Sequence, residues 1–235
     1  MAGKANDRRG TKCFKRVRAK LNTRLRRETK AKAKNVKAAR ALPARSGHGW
    51  HNEVERVLIT EGQIEKRIKT LAQEIERDFR GREMVVVSLL NGTVMFLADL
   101  MRHLNLPLRL DFMGVSSYGM GTESGELVFT KELRLDVKGR DVLLIDDILD
   151  TGKTLRLVLP KLRALKPRRI KICVLLDKPS RRVENIHADY AGFEIPDYFV
   201  VGYGLDFAER YRNLPFVGVL HPHVYKQVCK QICRK

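Results

Sequence analysis

The sequence predicts an α/β fold in which a mostly parallel, twisted sheet is flanked by helices. Three observations predict it. Residues 84–90, 108–115, 142–145 and 170–176 are short, mainly apolar runs, the texture of buried strands. Helical segments at 94–104 and 155–165 stand between several of them, and strand–helix alternation favours parallel pairing. The third run then leads through Asp146, Asp147 and Asp150 into a Thr-Gly-Lys-Thr turn that opens a helix. In sheets of this kind ligands sit at the carboxyl ends of the strands.

Before the first strand lies a different kind of chain. Residues 1–50 hold 17 Lys or Arg against Asp7 and Glu28 alone, so they carry +15 of the formal +20 and leave +5 for everything after Trp50. The charge is therefore a property of an arm rather than of the body. This arm ends in Leu42-Pro43-Ala44-Arg45-Ser46-Gly47 and reads as a disordered basic extension. Phe14, Val17, Leu21 and Leu25 recur at helical spacing within it, a pattern that fits RNA or an anionic membrane surface. Its Arg-rich, acid-poor make-up also suits a transit peptide, a solvated tail or an upstream start codon. The folded domain is expected over residues 51–235, with the body beginning near Val54.

Thr60 followed by Gln63 is a capping-box signature, and Ile64, Ile68, Leu71 and Ile75 make one apolar stripe behind it. No run of about 18 apolar residues occurs and the amino terminus has no apolar signal core, so neither a span nor secretion is indicated and a cytoplasmic protein is expected. Cys13, Cys173, Cys229 and Cys233 are too scattered for a disulfide framework and read as free thiols. A metal pair of Cys229 and Cys233 would need further ligands, for which only His221 and His223 stand close in sequence.

The segment Val142 to Leu155, VLLIDDILDTGKTL, carries the chemistry. Gly152 permits a tight turn, the turn amides and the Thr151 and Thr154 hydroxyls supply donors, and the following helix adds the positive end of its dipole. That is a pocket for a phosphate dianion. Acids beside it would repel the ligand unless they serve sugar hydroxyls, a divalent cation or a proton transfer, so the arrangement suits a phosphorylated sugar. Gly152-Lys153-Thr154 also looks like the tail of a nucleoside-triphosphate P-loop, but the required upstream glycine is Asp147 here.

VLLIDDILDTGKTL resembles the phosphoribosyl-pyrophosphate signature of type I phosphoribosyltransferases, and the later motifs resemble the hypoxanthine-guanine (6-oxopurine) branch, over roughly Val54 to Leu220. The resemblance implies that fold with a small hood region. It makes Leu90-Asn91-Gly92-Thr93 a pyrophosphate loop with a non-proline cis peptide, Asn91 standing where Lys is common, and Ser117 with Tyr118 the closing pair of a mobile lid. It implies that Asp146 and Asp147 hold the ribose hydroxyls and a magnesium (Mg2+) shell. Asp150 becomes the general acid/base at purine N7, and Thr151, Gly152, Lys153 and Thr154 hold the 5′-phosphate. Asp146 stands where Glu is common. Lys178 falls beside the purine 6-oxo group, Phe199 on the base, Val200 at backbone contacts, Asp206 on magnesium and Arg212 on pyrophosphate.

The expected activity is transfer of the 5-phosphoribosyl group from phosphoribosyl pyrophosphate to hypoxanthine or guanine, giving IMP or GMP and pyrophosphate, by a homodimer or homotetramer. Nucleic acid enters only through the arm, and no membrane is expected. The rivals are a phosphoribosyl-pyrophosphate-binding RNA regulator and a pyrimidine transferase of the same fold; Lys178 and the segment from Phe199 to Asp206 speak against both. The tail from His221 to Lys235 suggests no function.

Overall fold

The computed structural model describes residues 50–118 and 126–225, all within one compact unit. The basic arm with its Phe14–Leu25 stripe, residues 119–125 of the expected lid, and Cys13, Cys229 and Cys233 lie outside the described residues.

Strand β1 (Val54–Ile59) leads into helix α1 (Glu61–Phe79) through the predicted capping box. Thr60 Oγ1 accepts from the Gln63 amide at 3.4 Å, while Gln63 Oε1 accepts from the Thr60 amide at 2.9 Å. The stripe of α1 extends one turn past the expected one, to Phe79, and every member is buried. Then come β2 (Met84–Leu90), α2 (Val94–His103), β3 (Leu108–Tyr118), β4 (Glu126–Lys131), β5 (Asp141–Leu149), α3 (Lys153–Ala164) and β6 (Arg169–Asp177). Three short strands close the described chain: β7 (Tyr190–Glu194), β8 (Val200–Val201) and β9 (Val217–Leu220).

Six strands form one sheet in the order β4-β3-β2-β5-β6-β7, parallel throughout except for β3 with β4. Alternate residues of β2 and β5 face opposite layers. Met84, Val86, Leu143 and Ile145 pack with α1 and α2, whereas Val85, Val87, Val142 and Leu144 pack with α3. Burial on both faces is why these strands read as continuous apolar runs. Pro160 inside α3 costs a helix interior about 3 kcal/mol. Burial of Leu155, Val158, Leu159 and Leu162, at roughly 1.5–3 kcal/mol per side chain, outweighs it.

Helices α2 and α3 leave adjacent strands toward opposite faces, so a crevice opens between the carboxyl ends of β2 and β5, the position at which such sheets bind ligands. A second, three-stranded antiparallel sheet, β1-β9-β8, has its own cluster of Val54, Val201, Tyr211, Phe216 and Leu220. This is the expected hood. Among the described residues no helix is long and apolar enough to cross a membrane.

Candidate active site

At the carboxyl end of β5 the acids begin earlier than the apolar run suggests. Asp146 and Asp147 belong to the strand itself, which pairs with β6 as far as Leu149, rather than to the loop after residue 145. Asp146 is buried and Asp147 half-buried. The Asp147 amide donates to Asp146 Oδ1 at 3.0 Å and the Ile148 amide to Asp147 Oδ1 at 2.8 Å. Burial pushes both carboxyls up, and for Asp146 the neighbouring Asp147 carboxylate pushes further; for Asp147, local hydrogen bonds and the Arg212 charge pull the other way.

Opposite them, at the end of β2, the Leu90–Asn91 peptide is cis, as the motif leads one to expect. The buried Thr93 hydroxyl donates to the Leu89 carbonyl and accepts from Ser88 Oγ at 2.8 Å, which ties this loop to its strand. Gly92 lies so close to the acids that a β-carbon there would stand 1.6 Å from Asp147 Oδ2. Gly204 in turn backs onto Gly92, where a β-carbon would stand 2.0 Å from the Gly92 carbonyl oxygen. Asn91 is exposed. Arg212 stands behind this layer, donating to Gly204 O at 2.9 Å and pairing with Asp206 at 2.9 Å and Glu209 at 3.0 Å.

The turn between β5 and α3 has the expected form. Gly152 caps the helix in the left-handed region at φ 88°, and the Thr151 carbonyl accepts from the Val183 and Glu184 amides at 3.1 Å each. The Lys153 amide donates to Thr151 Oγ1 at 3.4 Å, and the amides of the first turn of α3 have no partners within the helix, the condition in which a helix start suits an anion. Arg182 clamps the acidic loop from below through the carbonyls of Leu149, at 3.0 Å, and Asp150, at 2.9 Å.

Beyond Asp150 the strand ends of β5 and β6 and the start of β8 enclose a cavity of about 530 Å³ lined by Asp147, Asp150, Lys178, Phe199, Val200 and Asp206 among others. Lys178 is buried, and its ammonium donates to the Tyr198 carbonyl at 2.7 Å. Burial holds its pKa below the usual lysine range, against the opposing charges of Asp150 and Asp197. Arg181 Nε stands 2.9 Å from Asp150 Oδ1, an ion-pair distance without hydrogen-bond alignment. Phe199 is 42% exposed, while Val200 is buried.

Residues 58–208 match the phosphoribosyl transferase domain. The hypoxanthine-guanine phosphoribosyltransferase of Bacillus subtilis is 49% identical over 176 residues, 74% of this chain and 98% of that protein. The chain belongs to the phosphoribosyltransferase family. Its similarity is to the hypoxanthine-guanine branch. A crystal structure of a hypoxanthine phosphoribosyltransferase from Staphylococcus aureus is 45% identical, with a TM-score of 0.73, covering 77% of this chain and 99% of that one. The bifunctional protein TilS/HprT of Listeria monocytogenes is 46% identical over 178 residues, 75% of this chain but 28% of that protein, so the chain spans little more than a quarter of that relative.

The phosphoribosyltransferase fold thus brings Asp147, Asp150, Lys178, Phe199, Val200 and Asp206 to one cavity. It does not assemble Asp146, Asp147 and Asp206 around a single point: Asp206 turns to Arg212 and caps the Glu209 amide at 3.0 Å, and among the described residues no three His, Cys, Asp or Glu side chains form a metal-holding group by themselves. Ser117 and Tyr118 end β3, paired with Leu127 and Glu126 of β4. Arg181, Arg182 and Tyr225 join the site without any periodicity or motif in the sequence to mark them.

Proposed function

We propose that the chain transfers the 5-phosphoribosyl group from phosphoribosyl pyrophosphate to hypoxanthine or guanine, releasing IMP or GMP and pyrophosphate. The observation that carries this reading is the meeting of Asp150, Lys178 and Phe199 in one cavity beside the phosphate turn. At its donor end the amides and hydroxyls of residues 151–154 hold the 5′-phosphate, and the loop of Asn91 and Gly92, backed by Arg212, receives the pyrophosphate. At its acceptor end Phe199 stacks on the base, Val200 offers backbone groups, and the Lys178 ammonium, aimed by the Tyr198 carbonyl, donates to the 6-oxo oxygen. Asp150 moves the proton at N7 as the new bond forms. Ser117 and Tyr118 close over the reaction and exclude water, which would otherwise hydrolyse the donor.

Two neighbouring carboxylates held in buried surroundings, Asp146 and Asp147, are hard oxygen donors that suit magnesium, an ion that takes one or two protein carboxylates and completes its shell with substrate phosphates and water. Asp206 stands at the same cavity and would contribute once released from Arg212. Held by these carboxylates, magnesium would supply positive charge to offset that of the leaving pyrophosphate.

Lys178 also decides specificity. An adenine 6-amino group would face the ammonium donor to donor, which a buried polar site rejects strongly. The test is nucleotide formation with adenine, hypoxanthine, guanine and xanthine. Wild-type protein should use the 6-oxopurines and leave adenine, and Lys178→Ala should lose that preference; an unchanged adenine-to-hypoxanthine ratio overturns the assignment. Exposed Val94 and Met95 on α2 suit a homodimer or homotetramer, which sedimentation would count. We further read residues 1–50 as an appendage to a cytoplasmic catalytic domain spanning residues 51–235.

A further inference from the structure

Phe199 is a large aromatic side chain left 42% exposed at the cavity mouth, and its ring does not stand alone. Phe207 meets it edge-on, with ring centroids 5.4 Å apart at 90°. Tyr225 stacks on it, with centroids 4.8 Å apart and planes 19° from parallel. Tyr225 lines the same cavity as Lys178 and Asp150.

The backbone explains how a residue so late in the chain arrives there. Strand β9 ends where the Leu220 amide donates to the Phe199 carbonyl at 2.9 Å. The His221 amide is held by Glu53 O at 2.8 Å, and the Val224 amide closes a turn on His221 O at 3.0 Å. Tyr225 therefore sits on a leash of five residues whose near end is bonded to the backbone of Phe199 itself. Val224 and Tyr225 also pack against the hood cluster.

We infer that Tyr225 is a positioning residue of the acceptor site, forming with Phe199 a two-ring aromatic wall that fixes the plane against which a flat heteroaromatic base stacks. The inference rests on the reading of Phe199 and Lys178 as the acceptor end. A lone ring at a cavity mouth turns about its side-chain torsions, and each incoming base must first immobilise it. A ring held by a parallel neighbour and an edge-on one is set before the base arrives. The Asn91–Gly92 loop and the turn at residues 151–154, read as the holders of the donor's phosphates, do not line this cavity, so the wall acts on one substrate and not on the other.

Steady-state kinetics of the full chain test this. Tyr225→Ala should raise the KM for hypoxanthine roughly 3- to 10-fold, the size of one aromatic pair, with kcat and the KM for phosphoribosyl pyrophosphate unchanged. Tyr225→Phe should restore the wild-type purine KM, because the ring and not the hydroxyl does the work. If Tyr225→Ala folds poorly, Tyr225→Leu keeps the apolar contact with the hood while removing the ring, and the same split is expected. A wild-type purine KM in the ring-less variant overturns the inference, as does a rise of both KM values alike together with a fall in kcat and melting temperature, the signature of a merely structural tyrosine. Phe199→Ala separates the two levels of failure. If it too leaves the purine KM unchanged, the acceptor-site reading itself is wrong; if it raises that KM while Tyr225→Ala does not, only the role of the tyrosine falls.

Discussion

The Asp150 carbonyl accepts from Arg182 and its carboxylate faces Arg181 at 2.9 Å, at the head of the turn into α3. Asp150→Asn keeps the shape and removes the group proposed to move the proton. Turnover should fall roughly 10²- to 10⁴-fold while the KM for phosphoribosyl pyrophosphate barely moves, and wild-type turnover in a nucleotide-formation assay would contradict the role. Gly92 and Gly204 make a second pair of residue-level predictions because the atoms facing them differ in kind. A methyl at Gly92 meets the end of the Asp147 side chain, which can swing aside, so Gly92→Ala should fold with nearly wild-type melting temperature yet lose at least about tenfold in kcat/KM for the donor. A methyl at Gly204 meets the Gly92 backbone, which cannot swing, in a residue at φ 99°. Gly204→Ala should therefore cost on the order of 2 kcal/mol of stability, visible in a urea titration.

At the scale of elements, the antiparallel edge of the sheet hangs on one carboxylate. Asp111 in β3 accepts from the amides of Arg134 at 2.6 Å, Leu135 at 2.9 Å and Phe112 at 2.8 Å, and from the Lys131 ammonium at 3.0 Å. Burial pushes this carboxyl up, but the three amides and the ammonium outweigh burial and hold it at about 2. An acid depressed on folding stabilises the fold above its unfolded pKa, near 4, and that stability is lost as pH falls toward the folded value. Asp111→Asn should cost about 2 kcal/mol at neutral pH, and the gap from wild type should close as melts are repeated down to pH 2.5. A gap independent of pH would assign the loss to packing. The elements that periodicity marks, α1, α2, α3 and the long strands, are those with a whole face buried. The short β4, β7, β8 and β9 were not individually legible, since two to six residues carry too little alternation to stand out.

For the whole molecule, charge separates what the body needs from what the arm adds. With +15 in residues 1–50 and +5 after them, deleting residues 1–49 should leave kcat and both KM values intact while abolishing retention on an RNA column at moderate salt. Loss of activity on deletion would show that the arm belongs to the catalytic unit.

The order of motifs along the chain was enough to reveal the parallel sheet, the turn at residues 151–154 and the acids beside it, because each is a local pattern: an apolar run, a glycine where the chain must curve, carboxylates at fixed spacing. Only tertiary structure could decide that Asp146 and Asp147 lie within β5, that Asp206 turns to Arg212, and that Arg181 and Tyr225 enter the site. Those facts depend on strand length and on contacts between residues far apart in sequence, such as the hydrogen bond from Leu220 to Phe199, and no window of neighbouring residues carries them. Local chemistry is written along the chain, whereas convergence is set by the packing of distant segments against one another.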